Sequence, residues 1–269
     1  MLKTLWMAAL AALALAHGPA RASGDLLVAP TRLVLDGQRG AEVVLNNIGG
    51  EAATYRISLE LRRMNEEGRL VDVATPTAAE AAALAMVVYA PRRVTLQPNQ
   101  PQSIRVGVRP PEGLADGEYR VHMLFRAIPD ARPAATAAAQ PADGLAVALT
   151  PIYGITIPVI VRRGSLDAQA RITDARLTSR DGRAAVSFDL GRTGNRSLYG
   201  DVRVLKAGTS EPLLVARGIA VYPEIEHRNV TLAAGEDFAG TLAGSVTIQY
   251  VERPEDGGRV LAEAQVFLR

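Results

Sequence analysis

Side chains that commonly carry out chemistry are scarce in this sequence. It contains three histidines and no cysteine, which excludes cysteine-ligated structural zinc sites and leaves stability to core burial. His122 and His227 stand in strand-like contexts, where a histidine is more often packed or at the surface than a metal ligand. EF-hand, P-loop and GxSxG patterns do not occur. The residues therefore predict a protein that is not an enzyme and that holds no metal or cofactor.

The first 22 residues have the pattern of a secretory signal peptide. Lys3 precedes an apolar run from Leu5 to Ala16, and Ala20 and Ala22 form a small-x-small site, with cleavage expected after Ala22. A membrane anchor is the alternative, although the run is short for a span. No later segment could span a bilayer as a helix, so we expect no membrane insertion after cleavage.

The charge of the mature chain is balanced. The 30 basic residues of the precursor include Lys3 and Arg21, so 28 remain after cleavage, against 28 acidic residues. No basic stripe with interleaved aromatic residues is present. The sequence therefore predicts no nucleic-acid partner.

An uncharged stretch from Leu145 to Val161, rich in β-branched residues, is the most distinctive feature of the chain. Pro151 and Pro158 argue against a helix, and prolines in a sheet are found mainly in edge strands or at bulges. A long apolar edge is an aggregation hazard that soluble proteins usually suppress. An open one can pair with a strand of another chain.

The rest of the chain consists of short segments in which apolar and polar residues alternate, separated by Gly and Pro. This pattern predicts an all-β fold of two Ig-like sandwiches in tandem. We place the first domain at residues 23–163 and the second at 164–269, with a linker short enough to fix their relative angle. The alanine-rich segment Ala78 to Ala85 fits either a short helix or a loop. The segment Asp130 to Asp143 is expected to be a mobile loop.

Three segments carry a family resemblance: APTRLVLDGQRGAEVVLNN at 29–47, YAPRRVTLQPNQPQSIRVGV at 89–108 and DGEYRVHMLFRAIP at 116–129. Together with the apolar strand that ends in Arg162 and Arg163, they resemble the periplasmic chaperones of pilus assembly. The match covers most of the first domain. In the second domain, size and strand number are the points of similarity.

The resemblance implies a periplasmic, non-enzymatic protein with two kinds of partner. A pilin-like subunit is an incomplete sandwich that lacks its last strand, and the chaperone supplies a strand until the subunit reaches an outer-membrane usher. Because successive side chains of a strand point to opposite faces, one face of the apolar strand would enter the subunit groove. The residues expected there are Leu145, Val147, Leu149 and then Tyr153 or Ile155. The alternative is that these residues belong to the protein's own core, and this is the reading we prefer for Val159 and Val161.

The resemblance also assigns roles to arginines. An arginine at the place of Arg32 binds the C-terminal carboxylate of the subunit in the cleft between the domains, a task suited to a bidentate guanidinium. The family's second anchor, a lysine late in the apolar strand, is missing here. Either Arg105 or Arg126 replaces it, or Arg32 acts alone.

Arg162 or Arg163 is expected to make an interdomain salt bridge, with Asp201 and Glu224 as candidate partners. These pairings are hypotheses from residue type and position.

Two other classes of protein fit part of the sequence. A structural or adhesive Ig-like exported protein would use the apolar strand only as core. A carbohydrate-binding module would need a row of exposed aromatic residues, whereas the single tryptophan, Trp6, lies in the signal peptide.

Overall fold

The structure is a computed structural model that describes residues 26–129 and 152–269. The predicted signal peptide, the predicted loop over Asp130 to Asp143 and the first part of the apolar strand, with Leu145, Val147 and Leu149, lie outside the described residues. None of the helices in the described ranges is both long and apolar enough to cross a membrane.

The first sandwich contains eleven strands and one helix among its described residues. They are β1 (Leu26–Ala29), β2 (Leu33–Leu35), β3 (Ala41–Asn47), β4 (Ala53–Glu60), β5 (Arg62–Met64), β6 (Leu70–Asp72), α1 (Ala78–Met86), β7 (Val87–Ala90), β8 (Arg93–Leu96), β9 (Pro101–Val108), β10 (Gly117–Ile128) and β11 (Gly154–Arg163).

These strands form two sheets that pack face to face. One sheet has the order β1-β3-β9-β7 and the other β2-β11-β10-β4-β8, while β5 and β6 form a separate hairpin. Alternate residues of both sheets point into one core, as with Val43 and Leu45 of β3 and Val121 and Met123 of β10, all of which are fully buried. Because every second residue of these strands is apolar, each sheet has one apolar face, and the two apolar faces are buried against each other.

Helix α1 begins at a capping box. The side chain of Thr77 accepts a hydrogen bond from the backbone N–H of Glu80, and the Glu80 carboxylate accepts one from the Thr77 N–H. Arg63 of β5 pairs with the same carboxylate at 2.6 Å. These bonds satisfy donors that are otherwise free at a helix start, and they lower the pKa of Glu80 to about 2, with the Arg63 hydrogen bond as the main cause.

The second sandwich follows Gly164. Its strands are β12 (Ala168–Arg180), β13 (Arg183–Gly194), β14 (Leu198–Lys206), β15 (Pro212–Val221), β16 (His227–Ala233), β17 (Gly244–Val251) and β18 (Val260–Leu268). The sheets β12-β13-β16 and β15-β14-β17-β18 enclose a second core that includes Phe188, Leu190 and Tyr250. Within the described ranges, no sheet joins strands from the two sides of Gly164.

The predicted all-β class is confirmed, and the alanine-rich segment forms a helix. Two features are not predicted by the sequence. Strand β1 lies just before β2, and the β5–β6 hairpin lies in a stretch of charged and partly exposed residues. Neither short segment shows enough alternation to be recognised from its own sequence.

Candidate functional site: an open strand edge beside an arginine-lined cavity

Strand β11 is open on one side over part of its length. Its whole length pairs with β10, with Gly154 opposite Arg126 and Arg163 opposite Gly117. On its other side β2 runs parallel to it and covers only Val159–Val161. Among the described residues, the backbone from Gly154 to Pro158 therefore faces no strand on that side. At ~3.3 Å per residue, this open edge is about 16 Å long.

The prediction that the apolar stretch is an edge strand is wrong for its last part. The N-terminal segment of the chain pairs with β3 through β1 and then crosses to the opposite sheet, where β2 lies beside β11. Val159, Ile160 and Val161 are consequently flanked on both sides and are almost fully buried. The pairing with β2 depends on residues more than a hundred positions earlier in the chain. It therefore cannot be predicted from the sequence of the apolar stretch itself.

The two faces of β11 serve different purposes. Ile157, Val159 and Val161 are buried in the core of the first sandwich, and Ile155 is partly buried at the margin of that core. Ile160, on the opposite face, is buried in a small apolar cluster with Met64, Ala220 and Tyr222 of both sandwiches. Sequence reasoning assigned Val159 and Val161 to the core, but it missed the interdomain role of Ile160.

Large apolar side chains are exposed where the described part of this strand begins. Tyr153 is 52% exposed and Ile152 is 47% exposed. The backbone N–H of Ala127 donates to the Tyr153 carbonyl at 2.9 Å, so hydrogen bonding to β10 continues beyond Gly154. The open edge therefore has ordered backbone and exposed apolar side chains at the same place, which is typical of an interaction site.

Arg32 lies where β2 begins. Leu33 is level with Val159 in the parallel register, which places Arg32 one step earlier, at the level of Pro158. Its Nε and Nη2 atoms are buried and have no hydrogen-bond partner among the described residues. The guanidinium lies 4.5 Å from the centre of the Tyr199 ring, and burial lowers the pKa of Arg32. Buried donors without partners are costly, so this position is suited to an anion.

Arg162 connects the two sandwiches through a buried carboxylate of the first. Its Nε lies 3.0 Å from Oε2 of Glu118, whose side chain is 1% exposed. Ser197 of the second sandwich donates to the same oxygen from its backbone N–H at 3.1 Å and from its hydroxyl at 2.9 Å. Arg163 is exposed at the end of β11.

The suggested partners Asp201 and Glu224 are wrong for Arg162. Oδ1 of Asp201 accepts from the backbone N–H of Gly218. Glu224 pairs with Arg120 and also accepts a hydrogen bond from the backbone N–H of Met64 at 2.7 Å. The Arg120 guanidinium stacks 3.6 Å from the centre of the Tyr222 ring.

Arg105 and Arg126 are not in the Arg32 cleft. Arg105 belongs to β9 in the opposite sheet, where it lies 3.6 Å from Glu42. Arg126 is level with Gly154, four residues along β11 from Pro158, the level of Arg32, or about 13 Å. Neither arginine lines the polar cavity between the two sandwiches, where Arg32 and Arg162 lie beside Arg196 and Ser197.

Neither histidine of the described ranges belongs to a cluster that could hold a metal ion. His122 is 1% exposed, and burial, with smaller effects of Arg120 and Arg62, lowers its pKa to about 3. His227 Nε2 lies 3.5 Å from Glu66. The described ranges contain no group of three or more His, Asp or Glu residues that could hold a metal ion.

Several solved structures of fimbrial chaperones are similar to this chain. The YadV chaperone is 13% identical with a TM-score of 0.47, and the match covers 91% of this chain and 100% of that one. The Escherichia coli chaperone DraB is 14% identical with a TM-score of 0.45, covering 91% and 96%. A complex of the SafA pilin with the SafB chaperone from Salmonella enterica matches at 13% identity and a TM-score of 0.45, covering 93% and 99%. The likeness concerns the fold.

No protein-family model matches the sequence, and no curated protein matches it.

Proposed function

We propose that this protein is a periplasmic chaperone that binds pilin-like subunits by strand addition and delivers them to an outer-membrane usher. A strand of the subunit, called the guest strand below, pairs with the open side of β11. The local sequence resemblance suggests the partners, and the position of the open edge beside Arg32 carries the proposal.

The register of β2 gives the direction of the guest strand. A strand added along Gly154–Pro158 lies on the same side of β11 as β2 and ends where β2 begins, at Arg32. If the guest strand runs parallel to β11, its C-terminal end meets Arg32; if it runs antiparallel, its N-terminal end does. A guanidinium without an anion partner attracts a carboxylate and repels an ammonium group. The parallel orientation, with the C-terminal carboxylate at Arg32, is therefore favoured.

Burial of apolar side chains supplies most of the affinity in this proposal. Leu145, Val147 and Leu149 lie outside the described residues, and their groove role rests on the alternation of the sequence. Burial of each is worth about 1.5–3 kcal/mol. Tyr153 continues the same odd-numbered series and is exposed where the open edge begins, whereas Ile155 packs at the margin of the protein's own core and is not assigned to the groove.

Co-expression of the full precursor with a tagged pilin-like subunit encoded beside its gene tests the proposal. We expect the two proteins to purify from the periplasm as a one-to-one complex, and Val147→Arg to abolish it while the circular dichroism spectrum stays unchanged. Val215→Arg is the matched control, because Val215 is an exposed valine of the second sandwich. Normal capture by the Val147→Arg variant would show that this strand does not enter the subunit. Failure of the wild-type protein to hold a subunit would favour the structural or adhesive Ig-like alternative.

A further inference from the structure

Three arginines stand in one row across the sheet that contains the open edge. Arg126 of β10 is directly opposite Arg56 of β4, and Arg56 is directly opposite Arg93 of β8. Their sequence neighbours Tyr55 and Phe125 are buried in the core, so the arginines lie on the other face of the sheet. All three residues are exposed. Neighbouring strands are ~4.8 Å apart, so this arginine row extends about 10 Å across the sheet.

Among the described residues, no carboxylate neutralises the arginine row. The levels on either side of it are uncharged and consist of Ile128, Thr54 and Thr95 on one side and Leu124 and Ser58 on the other. Glu60, one level beyond Ser58, lies 2.8 Å from Arg62 and is already paired. In contrast, Arg162 and Arg259 beside the interdomain cavity are each paired with a carboxylate, those of Glu118 and Glu252.

The arginine row lowers the stability of the free protein. Like charges directly opposite each other on neighbouring strands are destabilising, and Arg56 has a like charge on both sides. The spacing of the strands is shorter than the Debye length of about 8 Å at physiological ionic strength, so salt does not remove the repulsion. An anionic partner would remove it. The row is therefore suited to bind a surface that presents several negative charges.

The position of the arginine row indicates which partner this is. Arg126 is level with Gly154, the first residue of the open edge. Because Gly154 has no side chain, β11 places no side chain at this level between Arg126 and a strand added at the edge. Six residues along β10, or about 20 Å, Arg120 of the same face stacks on Tyr222 of the second sandwich. A face bounded by a second domain suits a compact protein domain better than a flat lipid surface.

We propose that the arginine row binds an acidic surface of the pilin-like subunit whose guest strand pairs with β11. The inference rests on the proposed function and deepens it, because it adds a requirement for negative charge on the body of the subunit. This requirement is separate from the apolar groove contacts and from Arg32. Charges at the margin of an interface act mainly on the rate of association and on its salt dependence. The row therefore steers acidic subunits to the open edge.

Peptide probes test the charge preference without a subunit. Two acetylated and amidated hexapeptides are compared at low ionic strength, one of alternating valine and glutamate and one of alternating valine and lysine. Arginine Nε–Hε signals of the protein are followed by nuclear magnetic resonance. We expect the glutamate peptide, and not the lysine peptide, to shift the signals of Arg56, Arg93 and Arg126. Failure of the glutamate peptide to shift them would show that the row does not bind anionic chains.

A triple variant tests the role of the row in subunit capture. It combines Arg56→Gln, Arg93→Gln and Arg126→Gln, and complex formation is timed after urea-unfolded subunit is diluted into the chaperone. We expect the rate to fall roughly tenfold at low salt, and the difference from the wild type to shrink as salt is added. The matched control combines Arg171→Gln, Arg180→Gln and Arg217→Gln, which removes the same charge from exposed positions of the second sandwich. It should behave like the wild type.

The stability of the free protein tests the repulsion within the row. Arg56→Gln removes the central charge, so its urea unfolding midpoint at low salt should lie above that of the wild type. Arg217→Gln should leave the midpoint unchanged, because Arg217 is exposed and belongs to the second sandwich. A lower midpoint for Arg56→Gln would show that Arg56 is held by stabilising contacts and that the row is structural.

Other occupants of the row give different results. Shifts of the row signals by phosphatidylglycerol vesicles, with normal capture by the row variant, would assign it to a membrane surface. A concentration-dependent dimer that the row variant lacks would assign it to a second copy of this chain. Equal slowing of capture in both triple variants would show that net charge acts, and not the row. All these outcomes overturn the inference and leave the proposed function standing, as long as the wild type captures a subunit and Val147→Arg does not. Failure of the wild type to capture a subunit overturns both.

Discussion

Acidification is expected to destabilise this protein through His122, by an amount that follows from its surroundings. His122 is 1% exposed, and neither ring nitrogen has a hydrogen-bond partner among the described residues. Arg120 and Arg62 oppose a positive charge there, and Glu60 is level with it on β4. The folded protein therefore keeps this ring neutral, with a pKa of about 3 in place of the usual 6.5.

The sign and size of the effect come from proton binding in the two states. Between pH 6.5 and about 3 the unfolded chain binds a proton at His122 that the folded chain does not bind, so stability falls as the pH falls through this window. The slope is about 1.4 kcal/mol per pH unit. From neutral pH to about pH 5 the folded state should lose about 2 kcal/mol from this residue alone.

Urea unfolding of wild type and His122→Leu at several pH values measures this contribution. The variant cannot titrate at this position, and it removes two buried nitrogen atoms without partners, so it should be at least as stable as the wild type at neutral pH. The difference in unfolding free energy between the two proteins should grow by about 2 kcal/mol on going to about pH 5.

Val215→Leu is the control, because Val215 is exposed on the second sandwich and neither side chain titrates. The stability of this variant should follow that of the wild type across the same range. If the curves of wild type and His122→Leu stay parallel with pH, His122 is protonated in the folded protein or is accessible to water, and the reasoning is refuted.

Three further outcomes are expected. Arg32→Ala should weaken subunit capture without lowering the melting temperature, because Arg32 is buried without hydrogen-bond partners; unchanged capture would remove it from the site. Thr77→Ala should cost about 1 kcal/mol by removing the N-cap of α1, and a loss below the error of urea unfolding would contradict the capping role. Gly164→Ala should cost more than Gly182→Ala. Both glycines have φ near +75°, but a Cβ at Gly164 would lie 1.9 Å from Cγ of Asp116, whereas a Cβ at Gly182 would meet nothing within 4 Å. Equal losses of unfolding free energy in the two variants would show that the Asp116 side chain moves away at no cost.

Local pattern predicted the elements well because the signals that specify them are local. Alternation over Ala41 to Asn46 and over Tyr119 to Arg126 predicts strands whatever these segments pair with, and both segments lie in strands that contribute to the buried core. The absence of cysteine and the scarcity of histidine likewise excluded kinds of site without any knowledge of the fold.

The site was only partly predictable. The apolar strand was singled out from its composition and Arg32 through a resemblance, and the structure brings them together at the level where β2 begins. Arg105 and Arg126 were misplaced because residue type alone does not show which sheet a strand joins.

The sequence by itself predicted an exported-type leader, and it determined an all-β chain with a strand too apolar to be an ordinary surface edge. The tertiary structure decided which part of that strand is covered, since β2 reaches it by crossing from the opposite sheet. It also decided which arginines are paired and which are free, because Glu118, Ser197 and Glu252 approach the cavity from distant parts of the chain. Strand formation follows from neighbouring residues, whereas edges and charge pairs depend on long-range packing that local alternation does not encode.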